Sequence, residues 1–115
     1  MARNAAVAVA CGEYIAFQDD DDLMPAHRIP LLLAALRAHA EAVMATGDYV
    51  MMDEQGEQTG SRWMPAPKSG ASTAPRLYPD GCEAILWPRV PAVPHTTVFR
   101  AAEGERAGWL ATEWG

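Results

Sequence analysis

Residues 14–22 read YIAFQDDDD, an apolar, β-prone run followed by a glutamine and four consecutive aspartates. The apolar part, residues 14–17, is typical of a strand covered on both faces in a parallel sheet. The carboxylates follow at the point where this strand ends, and open α/β sheets bind their ligands at the carboxyl ends of strands. The stretch therefore predicts an α/β fold that carries concentrated negative charge at one edge of its sheet.

Two interpretations of the acidic run follow from its chemistry. Neighbouring carboxylates repel one another and stay ionised only where positive charge compensates them. A hard cation such as Mg²⁺ or Mn²⁺ prefers carboxylate oxygen and would supply that charge. Charge runs also occur as solvated turns that bind nothing. The run alone leaves both interpretations open.

The segments around the run predict the local structure. Residues 2–10 are rich in alanine and predict a helix that ends at Gly12 in a left-handed C-cap. Apolar residues recur at helical spacing over 29–40 and predict a packing helix. Residues 49–52 predict a strand, and the turn at 53–57, with Gly56 at a positive φ, predicts a hairpin.

The second half of the chain divides into two parts. Seven of the nine prolines lie within residues 62–94, which predicts a long loop with little regular structure. Residues 96–99 are β-prone, and residues 101–107 predict a helix ended by Gly108.

Composition narrows the class of protein. With 115 residues, 50% of them hydrophobic, the chain can bury one core and predicts a single domain. A formal net charge of −6 argues against nucleic acid or an anionic membrane as partner, since both require clustered basic residues. Cys11 and Cys82 have no metal-like spacing and predict reduced thiols in a cytoplasmic protein. No run approaches the roughly 20 apolar residues of a membrane span.

The residues also carry a family resemblance. Residues 2–29, ARNAAVAVACGEYIAFQDDDDLMPAHRI, resemble the segment of family 2 glycosyltransferases that ends in their DXD motif. The resemblance implies a GT-A fold, which is a Rossmann-like α/β domain with a mixed, mainly parallel sheet and flanking helices. It also implies that the acidic motif holds the diphosphate of a nucleotide-sugar through Mn²⁺ or Mg²⁺.

Site residues are transferred by position from this resemblance. Asp19 would contact the nucleotide and the metal, and Asp21 would coordinate the metal. Asp20 fills the variable place between them and is assigned to the nucleotide-sugar, as are Arg3 and Asn4. Asp22 matches an acidic residue that commonly follows the motif.

A second matching segment lies near the end of the chain. Residues 94–110, PHTTVFRAAEGERAGWL, resemble the part of the family domain that lines the acceptor side of the site. His95, Thr96 and Thr97 would face the donor sugar or acceptor there, although a histidine before a strand and two β-formers need no function. Glu113 is the carboxylate nearest the position of the family's catalytic base, and the usual base is expected beyond the end of the chain.

The chain is expected to be a single partial GT-A domain, residues 1–115, because the family's first β-α-β unit and base region are missing. The leading hypothesis is metal-dependent, inverting transfer of a sugar from a nucleotide-sugar to a hydroxyl of a saccharide, lipid or protein. The alternative is a non-catalytic scaffold that self-associates through an open sheet edge. An unrelated protein with a solvated acidic run is the third. A full-length relative could also work at a membrane surface.

Overall fold

The computed structural model describes residues 2–62, 75–79 and 94–108. Within these ranges the chain forms three α-helices and five β-strands. The helices are α1 (Ala2–Val9), α2 (Arg28–Ala38) and α3 (Ala101–Ala107), and the strands are β1 (Tyr14–Ala16), β2 (Met44–Thr46), β3 (Val50–Met52), β4 (Gln58–Arg62) and β5 (Thr97–Arg100). A 3₁₀ turn, Pro94–Thr96, leads into β5. In the described part of the chain, no helix has both the length and the apolar character needed to cross a membrane.

The larger sheet has β5 at its centre, with β1 on one side and β2 on the other. Both pairings are antiparallel, with Ile15 opposite Phe99 and Ala45 opposite Val98. The α/β class expected from the sequence is present, but no parallel pair occurs among the described strands. An apolar run indicates that a strand is buried, but it does not indicate the direction of the neighbouring strand. The sequence therefore could not show that β5 lies between β1 and β2 and is antiparallel to both.

Strand β1 is also less buried than expected for a strand covered on both faces. Tyr14 and Ile15 are half-buried, Ala16 is exposed, and only the following Phe17 is buried. The ring of Phe17 meets that of Phe99 edge to face, with 6.1 Å between centroids. One side of the strand is therefore well packed and the other is partly open.

The core forms where α2 crosses the larger sheet. Leu32 and Leu36 lie four residues apart, on one face of α2, and pack with Val98 of β5. Leu36 is fully buried and Val98 is 1% exposed. The predicted packing helix is thus confirmed, with its end at Ala38, and its contact with β5 fixes the central strand.

Arg100 anchors the end of α2 to the sheet. Its guanidinium donates hydrogen bonds to the carbonyl oxygens of Leu36 at 2.6 Å, His39 at 3.3 Å and Ala42 at 2.8 Å. It also lies over the ring of Tyr14, 5.6 Å from the centroid. A cation at a helix C-terminus satisfies carbonyls that lack partners and interacts favourably with the helix dipole. This single side chain therefore connects α2, β1 and β5.

The predicted hairpin is confirmed as β3 and β4. The carboxylate of Asp53 accepts hydrogen bonds from the backbone N–H groups of Gln55 and Glu57, and Gly56 has φ 82°. Strand β2 was not predicted, because residues 44–46 lie in an apolar stretch in which only residues 49–52 were identified as a strand. The predicted helix at 101–107, ended by Gly108, is confirmed, and Gly108 lies in the left-handed region with φ 80°.

The expected left-handed cap at Gly12 is wrong. The described glycines with positive φ are Gly56, Gly60 and Gly108, and α1 already ends at Val9. At Gly12 space for a side chain is limited, because a Cβ there would lie 3.1 Å from the carbonyl oxygen of Tyr14. Most of the predicted loop at 62–94 lies outside the described residues, and its described part, residues 75–79, forms neither helix nor strand.

Candidate functional site

The four aspartates form a tight turn after β1. The backbone N–H of Asp22 donates to the carbonyl oxygen of Asp19 at 3.3 Å, so these two residues close the turn. Asp20 and Asp21 occupy its centre and are exposed. Because the first and fourth residues of a turn lie close together, the carboxylates of Asp19 and Asp22 can approach a common partner.

That partner is His95, in the 3₁₀ turn before β5. Its Nδ1 lies 3.6 Å from Oδ2 of Asp19 and 3.8 Å from Oδ2 of Asp22. The ring also meets Tyr49 edge to face, with 6.0 Å between centroids. The imidazole side chain is 29% exposed, so one part of it is packed and another faces solvent.

The strand register explains why these residues meet. Ala16, the last residue of β1, pairs with Val98 near the start of β5. In an antiparallel pair the end of one strand lies beside the start of the other. The residues after β1 and those before β5 are therefore neighbours, and His95 lies beside the acidic turn.

Asp19, Asp22 and His95 together could hold a metal ion. Each offers one ligand atom, and these atoms all lie within 4.8 Å of one another. Two carboxylate oxygens and an imidazole nitrogen suit a divalent cation, and the nitrogen favours Mn²⁺ over Mg²⁺ because Mg²⁺ prefers an all-oxygen shell. The donor set therefore fits the Mn²⁺ or Mg²⁺ expected from the sequence.

Arginines already compensate part of the acidic charge. Arg3, on α1, forms an ion pair with Oδ1 of Asp19, the oxygen that does not face His95. Arg28, at the start of α2, has its pKa lowered by burial, while the charge of Asp22 acts in the opposite direction and raises the pKa. A bound cation is thus not the sole source of positive charge at the turn.

The structure separates the predicted site residues into groups. It brings Asp19 and His95 together and adds Asp22, whereas Asp21 lies outside this cluster on the exposed side of the turn. Arg3 lies beside this cluster, because it forms an ion pair with Asp19. Asp20 is exposed, Asn4 lies beside Arg3 on α1, and their assignment to the nucleotide-sugar stays a prediction.

The two threonines assigned to the acceptor side are buried. Thr96 is 5% exposed and Thr97 is 1% exposed. Both hydroxyls lie within hydrogen-bond distance of the Thr46 hydroxyl, at 3.0 Å and 3.1 Å. These contacts join β2 to β5 and to the 3₁₀ turn before it, and they give both threonines a structural role. Glu113, the candidate base, lies outside the described residues.

Sequence reasoning did not identify the combination of Asp22 with His95. The only local signal was the position of Asp22 at the end of a four-residue acidic turn, since the first and fourth residues of such a turn converge. The nearness of His95 depends on the β1–β5 register, which no local pattern encodes. Tyr49, which contacts His95, had been read only as part of a strand.

The fold and the acidic turn define an α/β protein with a candidate cation site beside its central strand. Residues 1–100 match the family model described as glycosyl transferase family 2, and the chain therefore belongs to that family. The family resemblance inferred from residues 2–29 is confirmed, and the match ends within the second segment, at residue 100. Members of this family commonly use divalent metals, which is consistent with the Asp/His cluster. No curated protein and no solved structure matches the chain.

Proposed function

We propose that this chain contributes the diphosphate-binding part of a glycosyltransferase site that transfers a sugar from a nucleotide-sugar to an acceptor hydroxyl. The observation that carries the proposal is the convergence of Asp19, Asp22 and His95 at the edge of the sheet. Four adjacent carboxylates repel one another, so the turn is unfavourable unless positive charge compensates it. A histidine that faces two of these carboxylates provides the nitrogen ligand that a site for a divalent cation would use.

The roles of the residues follow from their positions. Asp19 and Asp22 would hold Mn²⁺ or Mg²⁺ with His95, and the chemistry that such an ion supplies is neutralisation of charge on the departing diphosphate. Arg3 is oriented toward the same turn by its ion pair with Asp19 and is well placed to donate hydrogen bonds to a phosphate oxygen. The family resemblance implies a metal-ligand role for Asp21 instead of Asp22, and Asp21 is exposed on the turn.

The transfer itself is a displacement at the anomeric carbon. The acceptor oxygen forms a new bond to that carbon while its bond to the diphosphate oxygen breaks, and the electron pair leaves with the diphosphate. Attack opposite the leaving group inverts the configuration. The acceptor proton passes to a carboxylate base, and Glu113 stays the predicted base within this chain.

The mainly parallel GT-A sheet is part of this proposal. In the described part of the chain, β1 lies at an edge of its sheet, with β5 on one side only. Parallel strands added to the other side of β1 would produce the mixed sheet that the family resemblance implies. The acidic turn would then follow a strand in the middle of a wider sheet, where ligands bind.

The open edge of β1 also favours a second candidate, a scaffold without turnover. An unpaired strand edge can pair with a second copy of the chain. Arg3 already pairs with one carboxylate of the turn, so part of the acidic charge is compensated without a cation. This form of the protein would dimerise and would not release nucleoside diphosphate from any donor.

A donor-release assay separates these candidates. The chain would be incubated with UDP- and GDP-sugars and Mn²⁺, and the nucleoside diphosphate released would be measured with and without simple saccharide acceptors. Release that is lost in Asp19→Asn and kept in Glu54→Gln would support the transferase. Glu54 is a matched control, because it is an exposed carboxylate on the hairpin turn and does not belong to the Asp/His cluster. Absence of release from every donor, together with a dimer in solution, would support the scaffold.

A further inference from the structure

The side chain of Gln18 spans the acidic turn from the residue that precedes it. Its amide nitrogen donates to the carbonyl oxygen of Asp19 at 3.0 Å and to that of Asp22 at 2.8 Å. These are the first and last residues of the turn. One amide group therefore holds the backbone at both ends of the carboxylate run.

These hydrogen bonds oppose the charge repulsion within the turn. The backbone hydrogen bond that closes the turn, from Asp22 to Asp19, is 3.3 Å long, beyond the range of about 2.7–3.2 Å typical of such bonds. Four adjacent carboxylates favour a more open backbone, because opening increases the distances between like charges. The shorter bonds from Gln18 add the restraint that the backbone bond provides only weakly.

The same side chain connects the turn to α2. The amide oxygen of Gln18 accepts a hydrogen bond from Nη1 of Arg28 at 3.4 Å, and Arg28 is the first residue of that helix. Nη1 of Arg28 also lies 3.1 Å from Sδ of Met24, in the segment between the turn and the helix. At 3.4 Å this contact is no stronger than the backbone bond of the turn, so it orients the Gln18 amide beside α2 and adds little restraint of its own.

We infer that Gln18 is a positioning residue, which holds the turn so that the carboxylates of Asp19 and Asp22 face His95. It touches none of the three candidate ligand atoms, and it acts through the backbone that carries two of them. This inference rests on the proposed function for the use of the turn, although the effect of Gln18 on the turn's conformation can be measured independently.

Two substitutions of Gln18 separate its hydrogen bonds from its size. Gln18→Met keeps the length of the side chain and removes both the donor and the acceptor. Gln18→Glu keeps the acceptor for Arg28 but removes the donors and places a fifth carboxylate beside the carbonyls. Gln55→Met is the matched control, because Gln55 is an exposed glutamine on the hairpin turn and its side chain has no part in the acidic turn's hydrogen bonds.

The experiment has two readouts. The first is Mn²⁺ affinity, measured by electron paramagnetic resonance with the metal alone as probe. The second is the temperature coefficient of the Asp22 amide proton shift in the metal-free chain, which reports whether the turn hydrogen bond persists. Both Gln18 variants should keep the wild-type melting temperature, since the residue is exposed. For Gln18→Met we expect Mn²⁺ affinity to fall about 10- to 100-fold, the usual effect of losing a group that orients a metal ligand. In both variants we expect the Asp22 amide to become solvent-like.

The outcomes distinguish the inference from the proposed function. If the wild-type chain binds no Mn²⁺, the proposed function fails. The temperature coefficient of the Asp22 amide proton then tests by itself whether Gln18 holds the turn. If the wild type binds Mn²⁺ and Gln18→Met binds it equally well, the inference is overturned. An unchanged Asp22 amide in Gln18→Met overturns it as well. A variant with a lower melting temperature has lost overall stability, and its Mn²⁺ affinity then does not test the position of the turn. In that case Gln18→Lys, which retains hydrogen-bond donors, should restore the low temperature coefficient of the Asp22 amide proton.

Discussion

Nδ1 of His95 lies 3.6 Å from Oδ2 of Asp19, and the antiparallel pairing of β1 with β5 brings the two residues together. Oδ1 of the same carboxylate pairs with Arg3. Asp19 thus divides its two oxygens between a helix that precedes β1 and a turn that precedes β5. The candidate cation site is built at this junction.

Replacing the histidine tests its part in the site. His95→Gln removes the imidazole nitrogen and should weaken Mn²⁺ binding by roughly tenfold, which corresponds to about 1.4 kcal/mol. His39→Gln is the control, because His39 is a partly exposed histidine at the end of α2 that pairs with Glu41. Calorimetric titration of Mn²⁺ measures both variants. Equal affinity for wild type and His95→Gln would remove the histidine from the site.

The family resemblance and the geometry differ on which carboxylate accompanies Asp19. The resemblance implies Asp21, whereas Asp22 lies beside His95 and Asp21 is exposed. From the geometry we expect Asp22→Asn to reduce Mn²⁺ affinity more than Asp21→Asn does. The two substitutions remove the same charge from adjacent residues, so each controls for the other. The opposite order would restore Asp21 as the ligand.

Arg100 should be one of the main determinants of stability. Arg100→Met removes the guanidinium donors to the carbonyls of Leu36, His39 and Ala42. The carbonyl of His39 keeps the backbone N–H of Ala42 as a donor, whereas those of Leu36 and Ala42 lose the donor that Arg100 provides. We expect a loss of about 2–3 kcal/mol in the free energy of unfolding, measured by urea denaturation. Arg37→Met, an exposed change on the same helix, should cost about 0.5 kcal/mol or less.

Arg100→Lys extends this test. A lysine keeps the positive charge but cannot reach several carbonyls with one planar group, so it should recover only part of the stability. Full recovery would show that charge at the end of α2 matters and that the geometry of the guanidinium does not.

The buried threonine hydroxyls give a test that separates structure from function. Thr97→Val conserves shape and removes the hydroxyl that bonds to Thr46 in a site that is 1% exposed. We expect a loss of about 1–2 kcal/mol in stability and an unchanged Mn²⁺ affinity. An unchanged stability combined with impaired transfer would instead support the acceptor-side role implied by the family resemblance.

Local signals in the sequence accounted for most of the helices and turns. The spacing of apolar residues predicted α2, Gly56 has the positive φ expected of it, and Gly108 ends α3 as expected. Gly12 shows the limit of such reasoning, because a glycine can be required for space rather than for a left-handed conformation.

Features that depend on distant residues were not predictable in the same way. The direction of β5 relative to β1 leaves no trace in the composition of either strand, and with that direction unknown His95 could not be placed beside Asp22. The run of aspartates in the sequence identified the acidic part of the candidate site. The contribution of His95 became apparent only from the tertiary fold.

The central claim is that the acidic turn binds the diphosphate of a nucleotide through a divalent cation. Calorimetric titration of UDP and of GDP into the chain, first with Mn²⁺ and then with EDTA, tests it most directly because no acceptor is needed. We predict that at least one nucleotide binds with Mn²⁺, that EDTA abolishes this binding, and that Asp19→Asn loses it while Glu54→Gln retains it. Absence of binding under both conditions, or binding that survives EDTA, would contradict the account.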